Sequence, residues 1–242
     1  DGAVQHPRRC GAGMNAPAET DGHGVGDYLR VRYSEEARPY TSYPDQLTRY
    51  LTARFLKDHR GGRLLDLGCG RGEFLNGFSR QGFRVTGFDR AQPDGGTSAP
   101  IVLGDYERDG LPFEDSSFDI VFNKSVLEHT HDITRLLREC RRILRPGGRL
   151  VSLVPDWKAQ WSHFYDDWTH VRPFTLTGLD ECLRCHGFDV RVAERFRQLP
   201  FLWEHPYLRP VASVAARLPS ALKRYKLVRF SKEWMLLAVA DR

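Results

Sequence analysis

The run Leu64-Leu65-Asp66-Leu67-Gly68-Cys69-Gly70-Arg71-Gly72 holds the residues whose types and spacing are best suited to chemistry. An apolar pair leads into an acid. Three glycines then alternate with other residues before Glu73-Phe74-Leu75 resumes a helical pattern. Glycine tolerates positive φ and lets a ligand lie against bare backbone. The start of the following helix offers N–H groups with no intrahelical partner. The pattern predicts a nucleotide-type ligand at the carboxyl end of a strand. Two more acids come after apolar runs: Asp89 closes the run from Phe83, and Asp105 comes after Ile101-Val102-Leu103-Gly104. An acid at the tip of the second strand can accept both hydroxyls of a ribose. Dehydrogenases share that device, so it does not separate the ligands.

The order of the downstream segments is more specific than the glycines. A hydride-transfer site calls for G-x-G-x-x-G with a pyrophosphate on the helix N-terminus. Here the spacing is G-x-G-x-G, with Asp66 two residues before the first glycine. Downstream stand LPFEDSSFDIVFNKSVLEHT (residues 111–130) and LRECRRILRPGGRLVSLVP (residues 137–155). From Leu64 to Val154 the order and spacing resemble the class I S-adenosylmethionine-dependent methyltransferases, with a type 11-like domain. The resemblance implies an α/β fold, a doubly wound, mainly parallel seven-stranded Rossmann-like sheet with helices on both faces. It implies S-adenosylmethionine as cofactor, with Asp66, Gly68, Gly70 and Gly72 around its amino-acid end. Asp89 and Arg90 then belong at the ribose, Asp105 and Tyr106 at the adenine, and Asn123 beside the loop after strand four. An acid by the loop suits a ligand that carries an ammonium and a sulfonium.

Methyl transfer from a sulfonium is an in-line displacement with a good neutral leaving group. The protein must align the acceptor, exclude water and, for some acceptors, remove a proton. Candidate bases therefore matter more than a nucleophilic triad. Glu128-His129 comes after strand four, which places His129 near the cofactor as a base or as a packing residue of the loop. DDWTHVRPFT (residues 166–175) resembles a segment of bacterial methyltransferases found with polysaccharide and small-molecule pathways. His170 there can take a proton from a hydroxyl, Asp167 can orient it, and the aromatics can stack a sugar or ring. The other reading is an ordered lid held by its own hydrogen bonds. His163, Asp166, Asp167 and His170 match no defined ligand spacing, so no metal is expected. Cys182-Leu183-Arg184-Cys185-His186 spells a haem-attachment pattern, but Leu179, Cys182 and Leu183 read as the buried stripe of a helix. The expected reaction is methylation of oxygen on a small molecule or saccharide. RNA or another nucleic acid is an alternative acceptor, and a non-catalytic cofactor-binding module is an alternative of a different class. Asn123-Lys124-Ser125-Val126 lacks the Asn/Asp-Pro-Pro-aromatic string of amino-methylating nucleic-acid enzymes, which argues against nucleic acid.

These residues need a scaffold. Pro44 to His59 reads as a helix with Leu47, Tyr50, Leu51, Phe55 and Leu56 on one stripe. A second helix is expected from Gly72 to near Gly82. A third runs from Asp132, a plausible N-cap, to Leu144, and Pro146-Gly147-Gly148 ends it. Leu150–Val154 is expected as strand five and Thr175–His186 as a helix. Phe188–Val192 is expected to start strand six, and Trp234–Ala240 to form strand seven, which the resemblance makes antiparallel. Strands alternating with helices imply right-handed crossovers. Residues 1–26, rich in Gly, Ala and Pro, are expected to be a disordered tail. Residues 27–242 then form one methyltransferase domain. Tyr28, Tyr33 and Tyr40 mark a segment that either closes over the cofactor or connects along the surface. Residues 155–174 and 197–232 are insertions assigned to substrate recognition.

The 242-residue chain carries a net charge of +5, 40% hydrophobic residues and five cysteines. That is enough apolar material for a full core. No apolar run approaches membrane-spanning length, no secretory leader is visible, and the thiols read as reduced, which together suit a cytoplasmic enzyme. Residues 206–230 combine Leu208, Val211, Val214, Ala215 and Leu218 with Arg209, Arg217, Lys223, Arg224, Lys226 and Arg229. Such a stretch either packs on the domain or lies on an anionic membrane surface. Oligomeric state is not legible.

Overall fold

The computed structural model describes residues 39–92, 96–215 and 234–242, with Val31 and Glu36. The expected tail at 1–26, Tyr28, Tyr33 and most of the 206–230 stretch lie outside the described residues. The elements in chain order are α1 (Tyr43–Phe55), β1 (Arg63–Leu67), α2 (Glu73–Arg80), β2 (Arg84–Asp89), β3 (Ile101–Leu103), β4 (Phe118–Lys124), α3 (Ile133–Ile143), β5 (Leu144–Pro155), α4 (Leu176–Cys185), β6 (Asp189–Arg197) and β7 (Trp234–Asp241). Short helical turns interrupt the connections after β5 and β6.

The sheet has the order β3-β2-β1-β4-β5-β7-β6. Strands β1 to β5 pair in parallel, and β7 runs antiparallel to both β5 and β6. Strand residues alternate between the two faces. Leu64, Ile120, Phe122, Val151 and Leu153 pack with Leu47 and Leu51 of α1 and Phe78 of α2. Leu65, Leu67, Val121, Leu150 and Val154 pack with Leu136 and Leu137 of α3 and Leu179 and Leu183 of α4. Each fully buried leucine contributes about 1.5–3 kcal/mol, so both helical layers are held by apolar area. The helix starts are set locally. Asp132 accepts from the Arg135 N–H at 2.9 Å and Thr175 from the Gly178 N–H at 3.1 Å.

One boundary differs from expectation, and one that the sequence leaves open is set by pairing. β5 begins at Leu144, directly after α3, rather than at Leu150. Leu144 pairs with Phe118, and regular register with β4 resumes at Arg149 opposite Ile120. Pro146-Gly147-Gly148 therefore forms an irregularity inside the strand. β6 continues past Val192 to Arg197, because β7 supplies partners as far as Trp234 opposite Arg197. Glu194, Arg195 and Arg197 hid that extension, since a polar pattern gives no strand signal. In the helical turn Arg209–Ala215, Ala212 is buried while Val211 and Val214 are exposed, so the described part of the basic stretch does not pack its valines on the domain. No helix among the described residues is long and apolar enough to cross a membrane.

The chain lays β1, β2 and β3 outward on one side and then returns to start β4 on the other. The strand order reverses between β1 and β4, with Leu67 opposite Asn123 at their carboxyl ends. In open α/β sheets, ligands bind at that crevice.

Candidate functional site

The glycine loop leaves β1 at this crevice. Gly68, Gly70 and Gly72 have φ of +72°, +50° and +76°. A Cβ on Gly68 would stand 2.5 Å from Val126 Cγ2, and one on Gly72 would stand 2.6 Å from Thr97 Cγ2. One on Gly70 would meet nothing within 4 Å. Two of the glycines thus serve close packing, and Gly70 presents bare backbone to open space. The loop is tied to β2 by Gly68 and Cys69 N–H groups that donate to the Phe88 carbonyl at 2.8 and 3.2 Å. Arg71 lies over the ring of Tyr40, which brings the described end of the 27–42 segment onto the loop.

Asp89 accepts from the Gly70 N–H on one oxygen and from the Arg90 N–H on the other, both at 2.7 Å. The Ala91 N–H also reaches the Arg90-bonded oxygen at 3.4 Å, so of a carboxylate's about four acceptor positions one remains, on the oxygen that faces Gly70. Burial pushes its carboxyl up, and these backbone donors hold it back. Asp66 is 1% exposed and its Oδ2 has no hydrogen-bond partner. Burial, with Asp89 adding to it, pushes this carboxyl up to about 8. A buried acid and a half-buried one lie close enough to repel, and among the described residues no cation is paired with Asp66. A ligand that brings positive charge fits this cradle, whereas a pyrophosphate would add to the repulsion.

Of the remaining expected cofactor residues, Arg90 and Asp105 lie toward the surface, while Tyr106 and Asn123 are buried. Arg90 Nη2 bonds Asp105 at 3.0 Å and Glu107 at 3.1 Å. The Tyr106 ring is buried in the core, and its hydroxyl, pushed up to about 12 by burial, meets Thr130 Oγ1 at 3.0 Å. Asn123 is fully buried. It donates to Ser152 Oγ at 2.9 Å and leaves its Oδ1 without a partner at the crevice. Cys69 is buried and its thiol is raised by burial and by Asp66, which suits a space-filling residue rather than a nucleophile. His186 Nδ1 meets the Cys182 carbonyl at 2.6 Å, a helix-end contact.

Val126, which packs on Gly68, leads straight from the cradle into the helical turn Leu127–His129. The Glu128 carbonyl accepts the N–H groups of Val171 and Arg172 at 2.9 and 3.0 Å. These bonds sew the 155–174 insertion to the end of β4. They bring together His129, Asp167 and His170, as expected of the site but not deducible from their spacing. His129 Nδ1 meets Thr169 Oγ1 at 2.9 Å, and Thr169 Oγ1 donates to Asp167 Oδ1 at 2.6 Å. The hydroxyl has one proton, so His129 Nδ1 is the donor in this chain. His170 Nδ1 donates to the Phe164 carbonyl at 2.6 Å, and its Nε2 lies 3.8 Å from Asp167 Oδ2. The two imidazole centroids are 4.6 Å apart. In both rings, Nε2 is the lone-pair nitrogen of the neutral form.

Sequence reasoning missed Glu128 and Thr169 as members of this group. Glu128 is fully buried with no hydrogen-bond partner on either carboxylate oxygen. Burial pushes its carboxyl up to about 8, against the pull of its own backbone N–H, Lys124 and the Ser125 hydroxyl. Only burial distinguishes it from a surface acid. Among the described residues, Glu128, His129 and His170 are the group of acidic, histidine or cysteine side chains close enough to share a cation. His163 and Asp166 are exposed and stand outside it. Trp161, Tyr165 and Trp168 are also exposed, at 67%, 57% and 80%, on the same insertion.

Residues 38–192 match the model of a family described as a methyltransferase domain, well over half of the chain. A malonyl-acyl-carrier-protein O-methyltransferase of Methylococcus capsulatus is 31% identical over 145 residues, 52% of this chain and 51% of that protein. A ubiquinone biosynthesis O-methyltransferase of Cereibacter sphaeroides is 31% identical over 125 residues, 44% of this chain and 49% of that protein. The chain spans about half the length of these curated relatives. A solved S-adenosylmethionine-dependent methyltransferase from Mesorhizobium loti shares the fold, with a TM-score of 0.59 at 19% identity over 84% of this chain and 99% of that one.

Proposed function

This chain belongs to the class I S-adenosylmethionine-dependent methyltransferases, and we propose that it methylates an oxygen on a small molecule or saccharide. The observation that carries the reading is the pairing of a cation-seeking cradle at Asp66 and Asp89 with a His129–Thr169–Asp167 chain, anchored on the buried Asp167, one short turn away. Two of the relatives above are named O-methyltransferases, which supports oxygen as the acceptor atom. The exposed aromatics of the insertion suit an acceptor with a ring to stack.

When bound, S-adenosylmethionine supplies an electrophilic methyl group on a positively charged sulfur. Asp66 stabilises that ligand's positive charge. Gly70 gives it room, and Asp89 accepts a ribose hydroxyl. Arg90 holds Asp105 in place beside Tyr106 at the adenine end, and Asn123 Oδ1 offers an acceptor at the crevice. On the acceptor side, an imidazole of His129 or His170 takes up the hydroxyl proton. Asp167, reached through Thr169 from one ring and directly from the other, stabilises the imidazolium that results.

The test is a product assay with the full chain. Labelled S-adenosylmethionine is incubated with panels of hydroxylated small molecules, saccharides and RNA, and transfer is read by mass. Transfer to oxygen of a small acceptor is expected. Transfer to RNA alone, or to nitrogen, contradicts the reading.

A further inference from the structure

We propose that Glu128, His129 and His170 bind one divalent cation of the zinc and cobalt(II) type. Their ligand atoms all lie within 4.8 Å of one another. A cation bonded at about 2.0–2.2 Å to each sets its ligand atoms about 3.0–3.5 Å apart. The longest separation therefore closes by little more than 1 Å, within reach of small side-chain rotations. Two imidazoles and one carboxylate suit zinc and its first-row neighbours, while magnesium and calcium prefer all-oxygen sets.

Proximity is not the main reason. Glu128 is fully buried and neither of its oxygens has a hydrogen-bond partner. A carboxylate buried with so little direct support is stabilised by a cation that joins it, or else takes up a proton. Lys124, whose charge Glu128 feels, holds its ammonium 5.9 and 5.8 Å from the rings of Tyr43 and Phe74. The histidines are oriented as metal ligands are, with the far nitrogen donating to a carbonyl or to a chain that ends on a carboxylate. His170 Nδ1 donates to the Phe164 carbonyl, and His129 Nδ1 donates through Thr169 to Asp167. Both rings then offer Nε2. The three residues are held in register from outside, because the Glu128 carbonyl accepts the N–H groups of Val171 and Arg172.

The cation deepens the proposed methyl transfer and rests on it for its role, though not for its binding. It takes the acceptor hydroxyl oxygen as a further ligand and lowers its pKa. The proton leaves to solvent, the oxygen bonds to the methyl carbon, and the C–S bond breaks with its electron pair going to sulfur. In this cation-bound form the imidazoles are ligands, and the proton that a metal-free ring takes up in the proposed function goes to solvent instead.

The test uses the full chain stripped by a chelator and titrated with cobalt(II), followed by visible absorption and calorimetry. Saturation at one cobalt per chain with ligand-field bands is expected. Glu128→Gln and His170→Asn should each weaken uptake at least tenfold, and His131→Ala, a neighbouring exposed histidine, should leave it unchanged. Retained S-adenosylhomocysteine binding verifies that each variant is folded. Absence of saturable uptake by the wild-type chain overturns the proposal without need of any variant. So does uptake that survives both Glu128→Gln and His170→Asn, or that disappears in His131→Ala. Methyl transfer without cobalt uptake sinks this inference and leaves the proposed function standing. Cobalt uptake without methyl transfer to any acceptor does the reverse.

Discussion

The cofactor cradle and the 155–174 insertion differ in how their geometry is encoded. The cradle is built from a contiguous run, Asp66 to Gly72, plus the end of the adjacent strand. Its demands are backbone demands: positive φ at the three glycines and close approach to Val126 and Thr97. Few residue types satisfy them, so they leave a mark in the sequence. The insertion is held by bonds between residues about 40 apart, such as His129 to Thr169. Many sequences can make such bonds, so composition shows only that something polar and aromatic is there. The difference teaches that the cradle is specified locally and the insertion by tertiary contact.

That contrast can be broken by mutations that separate binding from turnover. The largest effect is expected at His170. His170→Ala should lower turnover by about 10²–10⁴ while the S-adenosylhomocysteine dissociation constant stays within twofold. Parallel loss of both, in stopped-rate assays and calorimetry, would merge the two regions into one. Asp89→Ala is the mirror experiment. Charged hydrogen bonds are worth about 1.5–3 kcal/mol each, so cofactor affinity should fall at least tenfold in calorimetry. An unchanged constant removes Asp89 from the cradle.

A third pair sharpens the comparison inside the cradle. Gly68→Ala puts a Cβ against Val126 and should destabilise the fold by about 1–3 kcal/mol, read as a lower thermal midpoint. Gly70→Ala meets no protein atom, so its larger effect should be on cofactor affinity. Equal midpoint losses in the two variants would show that Gly70 does not face the ligand.

The smallest effect is electrostatic. Asp66 carries its proton up to about 8 in the folded chain, against 3.8 ordinarily. The folded state therefore binds more protons than the unfolded state between those values, and stability from this group falls as pH rises through that window. Below 3.8 both states are protonated, and above about 8 the full penalty is present. Asp66→Asn should flatten the decline and raise the midpoint of the ligand-free protein near pH 8. A steeper decline in Asp66→Asn would reverse the assignment.

Much of the scaffold was legible. The stripe of α3 and its Asp132 cap and the acid-tipped β2 follow from period and turn chemistry, while the antiparallel direction of β7 followed from the family resemblance. The start of β5 and the end of β6 were not, because pairing partners rather than side-chain patterns extended them. At the site, the positive-φ glycine loop and the acid at the tip of β2 were readable. The burial of Glu128 was not, since an acid in Leu127-Glu128-His129 looks the same in a loop facing water. Nor was the Arg90–Asp105 pairing, which ties two strand ends that spacing alone does not bring together.

The central claim is that the cradle is an acid site shaped for a cation-bearing nucleoside. Calorimetry of the full chain against S-adenosylhomocysteine and against NAD tests it most directly. The account predicts saturable one-to-one binding of S-adenosylhomocysteine, whose ammonium meets the Asp66 side of the cradle, and no heat from NAD. Binding of NAD with none of S-adenosylhomocysteine would contradict it.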